Sequence, residues 1–321
     1  MPLFNLTDAE LKKSATTYRK DLLVMPVIGA NQTLQHMCGR PGVAGRETVG
    51  QLGGGIELGP YDASRVDNTG VSVAPRTLET FLGSVVKRFD VNEAAKTVYG
   101  QLQAQGQALT TATIARAVLD YLSAKLGQSL NMAIFSGKRN DSGTKTIDLF
   151  DGFDTITQKE IDATTLSAAN GNLVELTRKI DENNARDVLL NEFYRSASDE
   201  LQGQPVKMFV SRDIYNAYCE DYLKTFGAVA YNTQYKQTFL TGSDNLCEIV
   251  PLTSKKGSSF IHLTPKANML YGYGAGLAEE NIAIEKHHEF LLSYVATMYF
   301  GVQFETISKE RLFVAKLKLE E

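Results

Sequence analysis

Tryptophan is missing from this chain of 321 residues, cysteine occurs three times and histidine four times. Each scarcity excludes something. Cys38, Cys219 and Cys247 are odd in number, far apart and without C-x-x-C spacing, so neither a disulfide framework nor a thiolate metal site is expected. They read as incidental thiols of a reducing compartment. Long apolar runs are also absent: LLVMPVIGA at 22–30 falls far below the roughly 20 residues of a membrane span. The start, MPLFNLTDAELKK, carries acids and polar residues where a secretory apolar stretch would lie, so an intracellular product is expected. An excess of one charge is lacking too: 33 basic against 37 acidic side chains give −4, which disfavours a protein that grips nucleic acid by bulk charge. With 43 % apolar residues the chain is too hydrophobic for a disordered polymer, and its length suggests about two domains.

Motifs that carry chemistry are equally sparse. Of the four histidines, His36, His262, His287 and His288, the last two abut before a strand, point to opposite faces and do not jointly hold a metal. Neither H-E-x-x-H nor G-x-S-x-G occurs, and LGGGIELG and GYGAG match neither a phosphate loop nor a dinucleotide fingerprint. Ser84 and Lys87 have the S-x-x-K spacing of serine acyl-transfer enzymes. Their β-rich surroundings do not supply the helix that spacing needs, and the S-D-N and K-T-G companions are missing. Asp148, Asp151 and Asp154 lack the alternate ligands and terminal Glu of a calcium loop. No catalytic, cofactor-binding or metal-binding residue is assigned, and no cofactor or enzymatic activity is expected. A soluble α+β enzyme with scattered catalytic residues stays open as an alternative, because catalytic groups need not form a motif.

What the chain does contain is an unusual order of elements. Thr7 to Leu22 has helical spacing with a Thr7/Glu10 capping box. Between Gly29 and Gly70 stand ten glycines, too little apolar area for an independent core, so an extended arm ordered by contacts elsewhere is expected. The stretch 71–91 is β-branched with no consistently dry face and predicts a projecting hairpin. A short helix is expected over about 92–105. Ile114, Val118, Tyr121, Leu122, Leu126, Leu130, Ala133 and Ile134 then predict a long helix over 110–136, about 40 Å at 1.5 Å per residue. GKRNDSG at 137–143 reads as a turn, FDGFDTI at 150–156 as β-like, and about 172–201 as helical. VKMFV at 206–210 reads as a buried strand followed by a helix from Ser211 to Leu223. Short strands separated by turns fill 224–281, as in a second domain inserted into the first. In FLLSYVATMYFGVQF every even position from Phe290 to Phe304 is apolar, which predicts a strand of about 50 Å with one dry face, covered by the long helix. RLFVAKLKL at 311–319 is expected to return beside it.

This order, with PVKMFVSRDIYNAY, FIHLTPKANMLYGYG and YFGVQFETISKERLFVAKL, resembles the major capsid proteins of tailed bacteriophages, whose fold is shared with encapsulin nanocompartments. The resemblance implies an α+β fold: a peripheral domain with a long spine helix across a long-stranded antiparallel sheet, an inserted axial domain, an extended β-hairpin loop and an N-terminal arm. Mapped onto this sequence, the arm spans 1–70, the loop 71–92, the peripheral domain 93–223 with its spine at 110–136, the axial domain 224–285 and the closing strands 286–321. It further implies a structural subunit that assembles with copies of itself as hexamers and pentamers into an icosahedral shell around double-stranded DNA. The shell would form in the bacterial host cytoplasm and persist as the virion capsid. The partners so implied are nonspecific DNA on the inner face and separate scaffolding, portal and decoration proteins, with no membrane. An encapsulin shell holding an enzyme cargo is the alternative within the fold. Many members carry a charged scaffolding helix ahead of the arm; only about 28 residues precede the glycine-rich stretch here, so scaffolding is expected to be separate or unused, and the retained Met1 speaks against a processed product. Some members form lysine–asparagine isopeptide cross-links. Lys87, Lys96 and Asn268 are of the right types, but no such cross-link is expected.

Overall fold

The computed structural model describes residues 30–53, 72–90, 111–227, 238–286 and 291–318. In chain order its strands are β1 (Cys38–Pro41), β2 (Arg46–Gly53), β3 (Ser72–Glu79), β4 (Phe81–Asp90), β5 (Leu173–Glu175), β6 (Val206–Ser211), β7 (Cys247–Leu252), β8 (Phe260–Thr264), β9 (Met269–Tyr273), β10 (Asn281–Lys286), β11 (Leu291–Phe304) and β12 (Phe313–Lys316). The principal helices are α1 (Thr111–Ser136), α2 (Phe153–Asp162) and α3 (Arg212–Phe226).

Strand β11 organises the first sheet. Its even positions alternate inward as the sequence pattern dictates: Tyr294, Ala296, Met298, Phe300, Val302 and Phe304 are all buried. β4 pairs antiparallel along one edge from Leu291↔Asp90 to Phe300↔Phe81, and β10 and then β9 pair along the other. β1 closes the sheet by lying parallel to β9. The dry face of β11 packs on α1 and α2. Phe304 meets Phe153 of α2 at 4.8 Å between ring centres, Phe300 meets Phe150 at 5.2 Å, and Phe135 of α1 meets Phe153 at 5.6 Å. Further along, Ser123 of α1 and Tyr294 share a buried 3.1 Å hydrogen bond. Gly301 has a steric reason: a Cβ there would lie 1.9 Å from the Glu79 carbonyl oxygen, where β3 hands over to β4.

The second sheet has the order β5-β12-β8-β6-β7 and is covered on both faces. Phe209, Val250, Leu252, Phe260 and Val314 face the core shared with α1, α2 and β11. Val206, Met208, Val210, Cys247, Ile249, Ile261, Leu263, Phe313 and Ala315 face a second core under residues 185–201 and Tyr218 of α3. Two dry faces explain why VKMFV and FIHLT read as near-continuous apolar runs. α3 starts where Ser211 Oγ accepts the Ile214 amide at 3.3 Å and stops at Gly227, whose φ of +70° is the left-handed C-terminal cap.

Several expectations are corrected by this arrangement. Residues 30–53, part of the expected arm, are ordered by contacts with the rest of their own chain. Ala30, Leu34 and Met37 lie in the main core, and β1 is a member of the first sheet. The 71–91 strands do not form a hairpin with each other: β3 pairs with β2 over eight residues, and β4 pairs with β11. FDGFDTI leads into helix α2 rather than a strand, because buried Phe153 and Ile156 stand at helical spacing with Asp154 in the first turn. The 172–201 region opens with β5, and its helical part is broken into a short α turn, the π-helical Val188–Phe193, a 3₁₀ turn and Asp199–Gln202. β12 returns beside β8 and β5 rather than β11. The strands of 224–281 consequently share sheets with both earlier and later parts of the chain. The helices expected over 7–22 and 92–105 lie outside the described residues.

Candidate functional site: a two-stranded ribbon and a buried polar cluster

Ser84 and Lys87 lie on β4 opposite Thr297 and Tyr294, so an offset of three places their side chains on opposite faces of a strand. Both are exposed. The three aspartates part company. Asp148 accepts the Lys145 amide at 3.0 Å, Asp151 accepts the Arg139 amide at 3.0 Å and pairs with Lys159, and Asp154 pairs with Lys255 at 3.1 Å. Among the described residues no cluster of three metal-ligating side chains occurs. Burial pushes the Cys219 and Cys247 thiols upward, away from reactive thiolates. Asn268 is fully employed: its amide donates to Thr264 Oγ1 at 3.0 Å and to the Arg311 carbonyl at 3.3 Å, while its oxygen accepts the Thr306 amide at 2.8 Å. His287, His288 and Lys96 lie outside the described residues.

His36 has Lys207 Nζ at 3.3 Å from Nδ1, and burial together with that cation lowers its pKa. His262 is different. It stands wholly buried on β8, ringed by Phe135, Phe260 and Phe304 with ring centres 5.8–6.4 Å away. Lys255, also buried, donates to its Nδ1 at 3.0 Å, and Thr157 of α2 lies 2.8 Å from Nε2. A lysine nitrogen only donates, so Nδ1 must be the acceptor; Nε2 then carries the hydrogen and donates to Thr157. Burial and the neighbouring Lys255 cation hold the imidazole well below its usual range, so it is neutral near pH 7. No motif announces this group, because its members come from α2, a turn after β7 and β8.

Among the clefts lined by described residues, two lie beside the core. One, of about 340 Å³, lies under β3 and is lined by Arg76, Glu79, Phe81, Asp151 and Gln303. Arg76 is already committed there, to Glu160 at 2.6 Å and to the Phe304 carbonyl at 3.2 Å. The other, of about 470 Å³, lies beside α2 and the turn at 254–260, with Asp154 in its wall. Neither assembles a nucleophile, its base and an oxyanion donor around one open space.

The most distinctive surface feature is the β2–β3 ribbon. Eight residue pairs run from Arg46↔Glu79 to Gly53↔Ser72, and no third strand flanks them among the described residues. A two-stranded ribbon is marginal alone in water. This one is tied at its base, where Leu78 and Val49 pack with Leu270, Arg76 spans to α2, and Thr80 exchanges backbone and side-chain hydrogen bonds with Gly45.

No protein-family model matches the sequence, and no curated protein matches it in sequence. Solved structures do match. A chain of the satellite phage P4 procapsid, in a structure that includes the size determination (Sid) protein, is 12 % identical with a TM-score of 0.55, the match covering 91 % of this chain and 98 % of that one. The capsid of a native GTA particle matches at 11 % identity and TM-score 0.52, over 90 % of this chain and 91 % of the other. The holo-SrpI encapsulin complex from Synechococcus elongatus PCC 7942 matches at 12 % identity and TM-score 0.51, over 90 % and 89 %. The chain therefore has the mixed α+β fold shared by tailed-phage capsid proteins and encapsulins. Among the described residues no helix is long and apolar enough to cross a membrane.

Proposed function

We propose that this chain is the structural subunit of a closed protein shell, the major capsid protein of a tailed phage or prophage, assembling in the host cytoplasm into an icosahedral container for double-stranded DNA. The observation that carries this reading is the match along nine-tenths of the chain to the P4 procapsid chain, at 98 % coverage of the latter. The β2–β3 ribbon takes the role of the extended loop in place of the 71–92 hairpin. The peripheral domain is then α1, α2 and the β11 sheet with residues 30–45, and the axial domain is the second sheet with α3.

The ribbon supplies the physical logic. Its outer end has no flanking strand among the described residues, so ordering that end is costly to one subunit. Laid across a neighbour it would gain about 25 cal/mol per Å² of apolar surface covered. Weak contacts repeated around closed symmetry, in hexamers and pentamers, add to a stable shell. Portal, scaffolding and decoration proteins and nonspecific DNA on the inner face are the further partners of this reading.

The encapsulin match supports a second reading, a nanocompartment around an enzyme cargo. Expression in bacteria followed by electron microscopy and light scattering tests the shell itself: megadalton particles are expected, and a monodisperse species of tens of kilodaltons would overturn it. Nuclease-protected DNA in particles from lysed host cells favours the capsid, whereas a stoichiometric co-purifying enzyme favours the compartment.

A further inference from the structure

The buried polar cluster is unused by the shell reading and does not depend on it. Its geometry is that of a bond-forming site. Lys255 Nζ is 3.1 Å from Asp154 Oδ1 and 3.0 Å from His262 Nδ1, and the remaining side of this triangle, Nδ1 to Oδ1, is 3.9 Å. The Phe135 ring closes one side with its centre 4.3 Å from Nζ, and Phe260 and Phe304 flank the imidazole. The lysine nitrogen has no exposure, whereas the Asp154 carboxyl retains 15 % and opens onto the cleft beside α2. We propose that Lys255 and Asp154 condense into an isopeptide bond within one subunit, with His262 as the proton carrier.

One proton passes from the Lys255 ammonium to the Asp154 carboxylate, leaving a neutral amine beside a carboxylic acid. Nζ attacks the Asp154 carboxyl carbon, a C–N bond forms, and His262 Nδ1 removes the second proton from Nζ. The imidazolium returns that proton to a departing carboxyl oxygen, the C–O bond breaks, and one water leaves through the cleft. No oxidant, reductant or further reactant is required.

Three features favour this course. A desolvated ion pair costs several kcal/mol to keep in an apolar surrounding, and a neutral amide removes that cost. The reacting nitrogen and carboxyl are held at contact distance by α2 and the 253–255 turn, so the step is intramolecular. The tautomer set by the Lys255 donor, with the Nε2 hydrogen directed at Thr157, leaves Nδ1 as the acceptor that faces Nζ and can take its proton. The pair is also distinct from Lys87 and Asn268, the latter being consumed by hydrogen bonds.

The test is mass spectrometry of the intact full-length protein, denatured, followed by tryptic mapping. The expected result is a mass about 18 Da, one water, below that of the unlinked chain. Peptide 146–159 is expected to be joined to peptide 237–256, with no cleavage after Lys255. Lys255→Met restores the unlinked mass, Asp151→Asn leaves the bond intact, and His262→Gln slows its formation by about 100-fold or more in a time course after synthesis. Wild-type protein with the full mass and a free 237–255 peptide would overturn the proposal, even where a variant fails to fold. A bond that forms equally fast in His262→Gln would overturn the role of the histidine.

Discussion

His262 shows what burial does to a single side chain. Its folded-state pKa lies below the ordinary value of 6.5, with burial the larger cause and, in the chain whose Lys255 and Asp154 are not yet linked, the Lys255 cation the second. Between the folded pKa and 6.5 the unfolded chain therefore binds more protons than the folded one, and stability rises with pH through that window. Conversely, stability falls as pH drops below about 6.5, by up to about 1.4 kcal/mol per pH unit for this group. His262→Gln is expected to lower stability at pH 7.5 while flattening the decline towards pH 5, read as the difference between wild-type and variant thermal midpoints at several pH values. An unchanged slope would mean that the imidazole is accessible to protons in the folded protein. Ser84→Ala is expected to change nothing, since its neighbours are strand residues and solvent; loss of a measured hydrolase activity in that variant would revive an enzymatic reading.

At the scale of elements, β11 and the ribbon make opposite demands. Phe300 is fully buried against Phe150 and Tyr271, so Phe300→Asp places an unpaired charge in the main core and is expected to abolish soluble, cooperatively melting protein. Gly301→Ala forces a methyl against the Glu79 carbonyl at the ribbon base. A loss of several degrees in thermal midpoint is expected, since that backbone has no cheap way to move. Only the outer part of the ribbon, beyond the Val49↔Arg76 pair, is dispensable for folding on this account, because Val49 and Leu78 pack on Leu270 and Arg76 bridges to α2 in the inner half. Replacing 50–75 by a short glycine linker, which keeps Val49, Arg76 and Leu78, is expected to leave a folded subunit that forms no closed particles in electron micrographs. Full shells from that variant would count against the ribbon as the grip on a neighbour. Deleting 30–60 is a different experiment, because it removes Ala30, Leu34, Met37 and β1, and it is expected to unfold the subunit.

For the whole molecule, the long helix and the long strand were legible because each carries its own period: apolar residues at helical spacing over 110–136, and strict alternation from 290 to 304. Ser211 announced α3 by the same local logic, a hydroxyl before a helical run. The capsid-type fold was legible as a resemblance, carried by the order of these pieces and by segments such as PVKMFVSRDIYNAY and not by a single motif. Tertiary contact decided the rest. Glycine-rich 30–53 has too little apolar area for a core of its own, yet Ala30, Leu34 and Met37 join the main core and β1 gains order by pairing with β9, which is more than 200 residues away in sequence. FDGFDTI became a helix because Phe153 has a slot between Phe135 and Phe304. β12 left the long strand for β8 because its two faces, Phe313 with Ala315 and Val314, match the two cores of the second sheet. Asp154, Lys255 and His262 are each unremarkable in sequence and meet only when α2, a turn and β8 converge. Periodicity is written in neighbouring residues and can be read from them alone, whereas pairing partners and buried charge are set by groups distant in the chain, which only the folded structure brings within reach.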